Sequence, residues 1–163
     1  MARSPRTLPS QNPGGVVPDD VSKQIIEQLQ QDGRRSYAAI GKAVGLSEAA
    51  VRQRVQRLQD AGVMQIVAVT DPLTLGFHRM AMIGVKVEGD VRAAADAVAD
   101  IPDVDYVVLT AGSFDLLLEV VCQDDDHLFS LINDKLRTIP GVRATETFIY
   151  VSLRKQTYTW GAH

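Results

Sequence analysis

The sequence predicts an α+β protein in two parts, three short helices followed by a βαββαβ domain. Three observations predict it. Apolar residues recur at helical spacing in three segments between Val21 and Gly62. Beyond residue 79, strand-like and helical stretches alternate twice in the same order. The two later helices also end in one phrase, Ile101-Pro102-Asp103-Val104 and Ile139-Pro140-Gly141-Val142, which marks an internal echo.

In the first part, Ser22 is read as the cap of a helix carrying Ile25, Ile26 and Leu29 on one face. Asp32-Gly33 ends it, with the glycine taking the left-handed C-terminal conformation. Ser36 caps a second helix with Ile40 and Val44 on one face, stopped at Gly45. Only Gly45-Leu46 stand between this and Ser47, which caps a third helix running to Ala61. Val51, Val55 and Leu58 form its apolar stripe and Gly62 terminates it. Two helices joined by a tight Gly-containing turn, behind a supporting helix, are the parts of a helix-turn-helix.

Turning the third helix at about 100° per residue from that stripe places Ala49, Gln53, Gln56 and Asp60 opposite it. Arg52 and Arg57 fall on the shoulders, and Arg54 lies nearer the buried edge. Amide and guanidinium groups make bidentate hydrogen bonds to adenine and guanine edges in the major groove. An Arg/Gln-rich face is more often merely solvated, but the preceding helix and turn favour double-stranded DNA as the partner. Arg52, Gln53 and Gln56 are the expected base readers. Arg34, Arg35, Lys42 and Arg57 are expected to hold phosphates, and Ser47 at the helix N-terminus joins the interface. Asp60 repels DNA, which confines contact to the helix's first turns.

Residues 63–69 (VMQIVAV) read as a strand, Asp71-Pro72 breaks it, and residues 73–78 with Gly76 read as a hinge. In the second part, residues 80–87, 104–109, 116–121 and 142–153 are strand-like. Residues 91–101 and 128–139 are helical. This is the ferredoxin-like split βαβ order, with both helices on one face of a four-stranded antiparallel sheet. The strands at residues 80–83 and 114–121 do not alternate cleanly, as strands covered on both faces do not. A second copy of the chain is the simplest cover for the free face, so a homodimer is expected.

Composition sets the outer bounds. The chain has 163 residues, 45% of them hydrophobic and 23% charged, as in an ordinary globular protein. No apolar run approaches the roughly 18 residues of a membrane span, and the N-terminus lacks the apolar stretch of a secretory signal. One cysteine, Cys122, excludes an intramolecular disulfide and fits the cytoplasm; it is read as a small buried hydrophobe. With three histidines, no metal site is expected, and Asp124, Asp125 and Asp126 are read as charging a helix N-terminus. The net charge of −3 divides unevenly. Residues 1–62 hold nine Lys/Arg against six Asp/Glu, whereas residues 63–163 hold eight against fourteen. The expected domains are a disordered arm over 1–18, the helix-turn-helix with a wing strand over 19–69, a hinge over 70–79, and a sensor domain over 80–163. Arg3 and Arg6 belong to the arm, which is read as an inert tail, and Tyr158 and Trp160 are read as packing the C-terminal tail across a partner subunit.

Several short motifs occur together and in order. They are Asp32-Gly33-Arg34, Ser36-Tyr37, Gly45-Leu46-Ser47, Val51-x-x-Arg54-Val55-x-x-Leu58 and Ala61-Gly62-Val63. In this combination the sequence resembles the helix-turn-helix of the Lrp/AsnC "feast/famine" regulators. Residues 111–117 (AGSFDLL) resemble the Gly-x-x-Asp turn of that family's effector domain, and the resemblance runs over about residues 19–155. The family usually begins its first helix with Asp where Ser22 stands here. The resemblance implies a winged helix-turn-helix followed by a ferredoxin-like (RAM/ACT-like) sensor domain, assembled as dimers that often join into octamers. It also implies a small-molecule effector, an amino acid being favoured, at the interface between dimers, with Gly112, Asp115, Thr145 and Thr147 as candidates. No cofactor and no catalytic residue are expected. In the bland reading Gly112 is a hairpin residue, Asp115 caps a turn, and the threonines serve strand propensity. Two other readings share the architecture: a siroheme-decarboxylase-like enzyme, disfavoured because no convergent His set is visible, and a metabolite-binding module without DNA function.

Overall fold

The computed structural model describes residues 17–157, which fall into two compact units. The arm residues Arg3 and Arg6 and the tail residues Tyr158 and Trp160 lie outside the described residues. Among the described residues, no helix is long and apolar enough to cross a membrane.

The first unit holds three helices, α1 (Asp20–Gln31), α2 (Tyr37–Val44) and α3 (Glu48–Asp60). Helix α1 starts earlier than its expected cap. Asp19 is the N-cap, its carboxylate accepting from the Ser22 N–H at 2.8 Å, and Ser22 lies buried within the first turn. Its exit also differs from the expectation. Asp32 is extended (φ −149°), and its carboxylate accepts from the Arg34 N–H at 2.9 Å. This Asx turn closes the helix without a left-handed Gly33. Helices α2 and α3 begin as read, with the Ser36 hydroxyl accepting from Ala39 N–H and that of Ser47 from Ala50 N–H.

Gly45 (φ +73°) makes the left-handed turn between α2 and α3. Leu46 N–H returns to the Gly41 carbonyl at 2.9 Å. A Cβ on Gly41 would lie 2.4 Å from the Leu46 carbonyl oxygen, so the turn packs directly on helix backbone. Ile25, Leu29, Ile40, Val51 and Val55 form the buried core of this unit, with half-buried Tyr37, Val44 and Leu46 against it.

The expected wing strand is absent. Residues 63–69 form no strand, although Val63 and Met64 donate backbone N–H bonds to the Leu58 carbonyl. Ile66, Val67 and Val69 are exposed. A strand exists only as one side of a hydrogen-bonded pair, and among the described residues no segment pairs with VMQIVAV. The hinge contains a 3-10 turn, Pro72–Leu75, ended by Gly76 at φ +91°.

The second unit is β1 (Arg79–Val87), α4 (Val91–Ala99), β2 (Val104–Leu109), β3 (Leu116–Cys122), α5 (Asp125–Ser130) and β4 (Val142–Ile149). The sheet order is β2-β3-β1-β4 with every neighbouring pair antiparallel. That is the expected ferredoxin-like split βαβ arrangement. Ala81, Ile83 and Val85 of β1 and Leu116, Leu118, Val120 and Cys122 of β3 face Ala95 and Val98 of α4 and Leu128 of α5.

The final strand stops at Ile149, short of the expected residue 153. The helix expected over 128–139 is not regular either. Helix α5 passes into a π turn, Leu131–Lys135, and a 3-10 turn, Leu136–Thr138. Leu131 and Leu136, both fully buried, are five residues apart. In a regular α-helix they would diverge by about 140°, and the wider turn returns Leu136 to the core.

The opposite sheet face carries Met82, Gly84, Leu117, Glu119, Tyr106 and Phe148 by register. Phe114 covers its middle. Its ring would sit 2.7 Å from a Cβ on Gly84, and it meets Phe148 edge-on at 6.2 Å. Tyr106 and Phe148 remain exposed.

Candidate functional site

Helix α3 presents its side chains much as its periodicity implies. Val51, Val55 and Leu58 are buried, while Arg52, Gln53, Gln56 and Arg57 are exposed. Two of the expected base readers already have partners one turn away. Arg52 Nη2 donates to Glu48 Oε1 at 2.7 Å, and Gln56 Nε2 donates to Asp60 Oδ1 at 2.8 Å. Asp60 therefore holds an amide on its own helix. Gln53 makes no such contact among the described residues. The guanidinium of Arg52 also lies over the Tyr37 ring, 5.3 Å from its centre, at the start of α2.

Arg54 serves the scaffold. Its Nη1 donates to both carboxylate oxygens of Asp19 at 2.8 Å and to the Ser22 hydroxyl at 3.0 Å. The Ser22 hydroxyl, then Arg54 and the Ser22 backbone N–H, hold the Asp19 carboxyl down at about 2. This cluster ties α3 to the first turn of α1. Sequence reasoning placed Arg54 near the buried edge but did not find its partner, because a pair 35 residues apart has no local signature. The Glu48–Arg52 pair did have one, the i,i+4 spacing of opposite charges.

The remaining expected contacts lie around this helix. Arg34 and Arg35 occupy the loop between α1 and α2, Lys42 the last turn of α2, and Ser47 the N-cap of α3. Arg34 and Lys42 are exposed and Arg35 is half-buried. The Ser47 oxygen is already accepting as a cap, which leaves its O–H free to donate.

In the second unit, Gly112 and Asp115 lie on the connection between β2 and β3. Asp115 is held on all sides. Its N–H donates to the Val85 carbonyl at 2.9 Å, its carbonyl accepts from Thr110 N–H at 2.9 Å, and its Oδ2 accepts from Val87 N–H at 2.8 Å. No hydrogen bond to its other carboxylate oxygen is seen among the described residues. Thr145 pairs with Val85 from the other side of β1, and Thr147 pairs with Ile83. By this register Thr145 and Thr147 share the sheet face of Val85 and Ile83, the side packed on α4 and α5, and lie two strands away from Asp115. Gly112 has an ordinary φ, is exposed, and an added Cβ would meet nothing within 4 Å. Among the described residues, nothing requires glycine there.

A separate groove of about 270 Å³ in this unit is lined by Pro72, Leu75, Phe77, Pro102, Asp105 and Val121, among others. None of the four effector candidates lines it. Burial, then Glu119 and Asp103, raise the Asp105 carboxyl above its ordinary value. Cys122 is fully buried, as expected, and burial pushes its thiol up to about 11. Asp124 caps α5, as its run of aspartates implies, by accepting from His127 N–H at 2.8 Å.

Comparison with known proteins agrees with both units. Residues 19–59 match the AsnC-type helix-turn-helix domain and residues 80–160 the Lrp/AsnC ligand binding domain. An HTH-type transcriptional regulator of Pyrococcus furiosus is 34% identical, over 86% of this chain and 96% of its own length. The proline dehydrogenase transcriptional activator of Rhizobium radiobacter is 33% identical, over 85% of this chain and 92% of its own. A transcriptional regulator of Neisseria meningitidis, solved as a complex with L-Met, superposes with a TM-score of 0.77 at 25% identity, covering 89% of this chain and 97% of that one. AsnC of E. coli shares the fold, with a TM-score of 0.76 at 24% identity, covering 88% of this chain and 98% of that one. These relatives are regulators, so the decarboxylase reading falls away. The chain belongs to the Lrp/AsnC family and is a transcriptional regulator that joins a DNA-binding helix-turn-helix to a ligand-binding domain, not an enzyme.

Proposed function

We propose that this regulator acts in the cytoplasm as a homodimer that places two copies of α3 in successive major grooves of a pseudo-palindromic operator. Arg52, Gln53 and Gln56 read base edges, while Arg34, Arg35, Lys42, Ser47 and Arg57 hold the backbone. The observation that carries this reading is the exposed Arg/Gln face of α3 behind a tight Gly45 turn. Replacing Arg52 and Gln53 together by alanine abolishes sequence preference in a gel shift on the chain's own upstream region. Unchanged specific binding in that variant sinks the assignment.

The sensor domain binds an amino acid, with Asp115 facing its ammonium and Gly112, Thr145 and Thr147 receiving its carboxylate. The support is Gly112 itself. Its missing side chain is not explained by any described neighbour, and a ligand approaching the backbone explains it. The L-Met complex of the Neisseria relative points to the same ligand class. The effector changes how dimers assemble, up to an octamer, and acts only by binding one assembly better than another. A thermal-shift screen over the amino acids identifies it. Gly112→Val removes the shift and leaves operator binding intact; a shift that survives this change places the ligand elsewhere.

A further inference from the structure

Arg52 differs from the other cations of α3. Arg54 is turned into the Asp19–Ser22 cluster, and Arg57 makes no ion pair among the described residues. Arg52 alone is both exposed and held. Glu48 grips one end of its guanidinium at 2.7 Å, and the Tyr37 ring lies beneath it. Tyr37 itself packs against the core of Ile25, Ile40 and Val51, so the platform is fixed by tertiary structure.

Glu48 needs an explanation of its own. A carboxylate in the first turn suits the helix dipole, yet the proposed function brings this end of α3 to a polyanion. Both side chains are more than half exposed (65% and 53%), where an ion pair contributes little to stability. Its geometry does more. A guanidinium has five N–H donors. With one of them on Glu48 and its central carbon 5.3 Å over an aromatic ring, the remaining fork has fewer directions open to it. A free arginine reaches phosphates and several bases alike; a held one matches the paired O6 and N7 acceptors of a single guanine.

We infer that Glu48 and Tyr37 are specificity-determining residues, which orient the Arg52 fork toward a guanine at one position of each half-site. This rests on α3 being the reading helix. The test is selection from a randomised duplex library with the full-length protein at one salt concentration. The wild type selects guanine at one position per half-site, and Arg52→Ala flattens that position. Glu48→Gln and Tyr37→Leu each cut the guanine preference there about tenfold and leave other positions unchanged. Tyr37→Phe, which keeps the ring face and the core packing, retains the preference. If Arg52→Ala leaves the whole motif unchanged, the reading of α3 fails and this inference fails with it. If Arg52→Ala flattens the position but Glu48→Gln and Tyr37→Leu only shift affinity for all sequences together, α3 stands and the inference is overturned.

Discussion

The residue that ties α3 to α1 is Arg54, and its partner Asp19 titrates where the connection can be measured. Asp19 lies at about 2 in the folded chain against an ordinary value of 3.8. A lowered folded value stabilises the native state above the unfolded value, and the stabilisation is lost as pH falls through the folded one. Asparagine caps a helix as well as aspartate does, so Asp19→Asn removes the charge and keeps the cap. The variant therefore unfolds at lower urea concentration than the wild type above about pH 5. The gap narrows from about pH 4 and is mostly closed by about pH 2, where roughly half of the wild-type carboxylate is itself protonated. A difference that persists unchanged at pH 2 assigns the effect to capping and not to the Arg54 pair. The same cluster explains the departure noted at Ser22. Its hydroxyl and the Asp19 carboxylate together supply the acceptors for Arg54, three residues apart on the first turn.

At the scale of elements, the turn between α2 and α3 depends on Gly41 as well as Gly45. Alanine at position 41 gains about 1 kcal/mol in helix propensity. It also puts a Cβ 2.4 Å from the Leu46 carbonyl, which is backbone and cannot swing away. Overpacking of that kind costs ~1–3 kcal/mol and wins. Gly41→Ala lowers the unfolding midpoint of the chain and weakens operator binding, checked by urea titration and gel shift; an unchanged midpoint shows that the turn yields. Local signals made α2, α3 and the two βαβ units legible, because caps, glycines and apolar periods act within a few residues. What stayed hidden depends on distant partners. The five-residue step from Leu131 to Leu136 reads as a plain helix until the sheet shows that both must be buried. VMQIVAV has strand composition, but composition does not supply the neighbour that a strand needs. In the candidate site, the exposed face of α3 followed from its period, whereas the Tyr37 platform under Arg52 required the fold.

For the whole molecule, the question is how a chain of net charge −3 binds a polyanion. The answer lies in the division of charge. Residues 1–62 carry nine Lys/Arg against six Asp/Glu, and the acidic excess belongs to residues 63–163. Fields from exposed groups fade over about 8 Å at physiological salt, so acidic residues on the sensor domain farther away than that oppose binding weakly. Association is then governed by the few cations that displace counterions. With Arg34, Arg35, Lys42 and Arg57 on phosphates in each protomer of a dimer, log K falls against log salt with a slope of about −7. Removing one such cation per protomer, as in Lys42→Ala, makes the slope shallower by about 2 and weakens all sequences alike. With its fork on a base as proposed, Arg52→Ala does the opposite, changing sequence preference while leaving the slope nearly as it was. Fluorescence anisotropy on operator and scrambled duplexes between about 50 and 200 mM salt separates the two behaviours. A Lys42→Ala slope equal to that of the wild type would remove this residue from the phosphate contacts. A slope change in Arg52→Ala would place its guanidinium on the backbone, where Glu48 could no longer select a base for it.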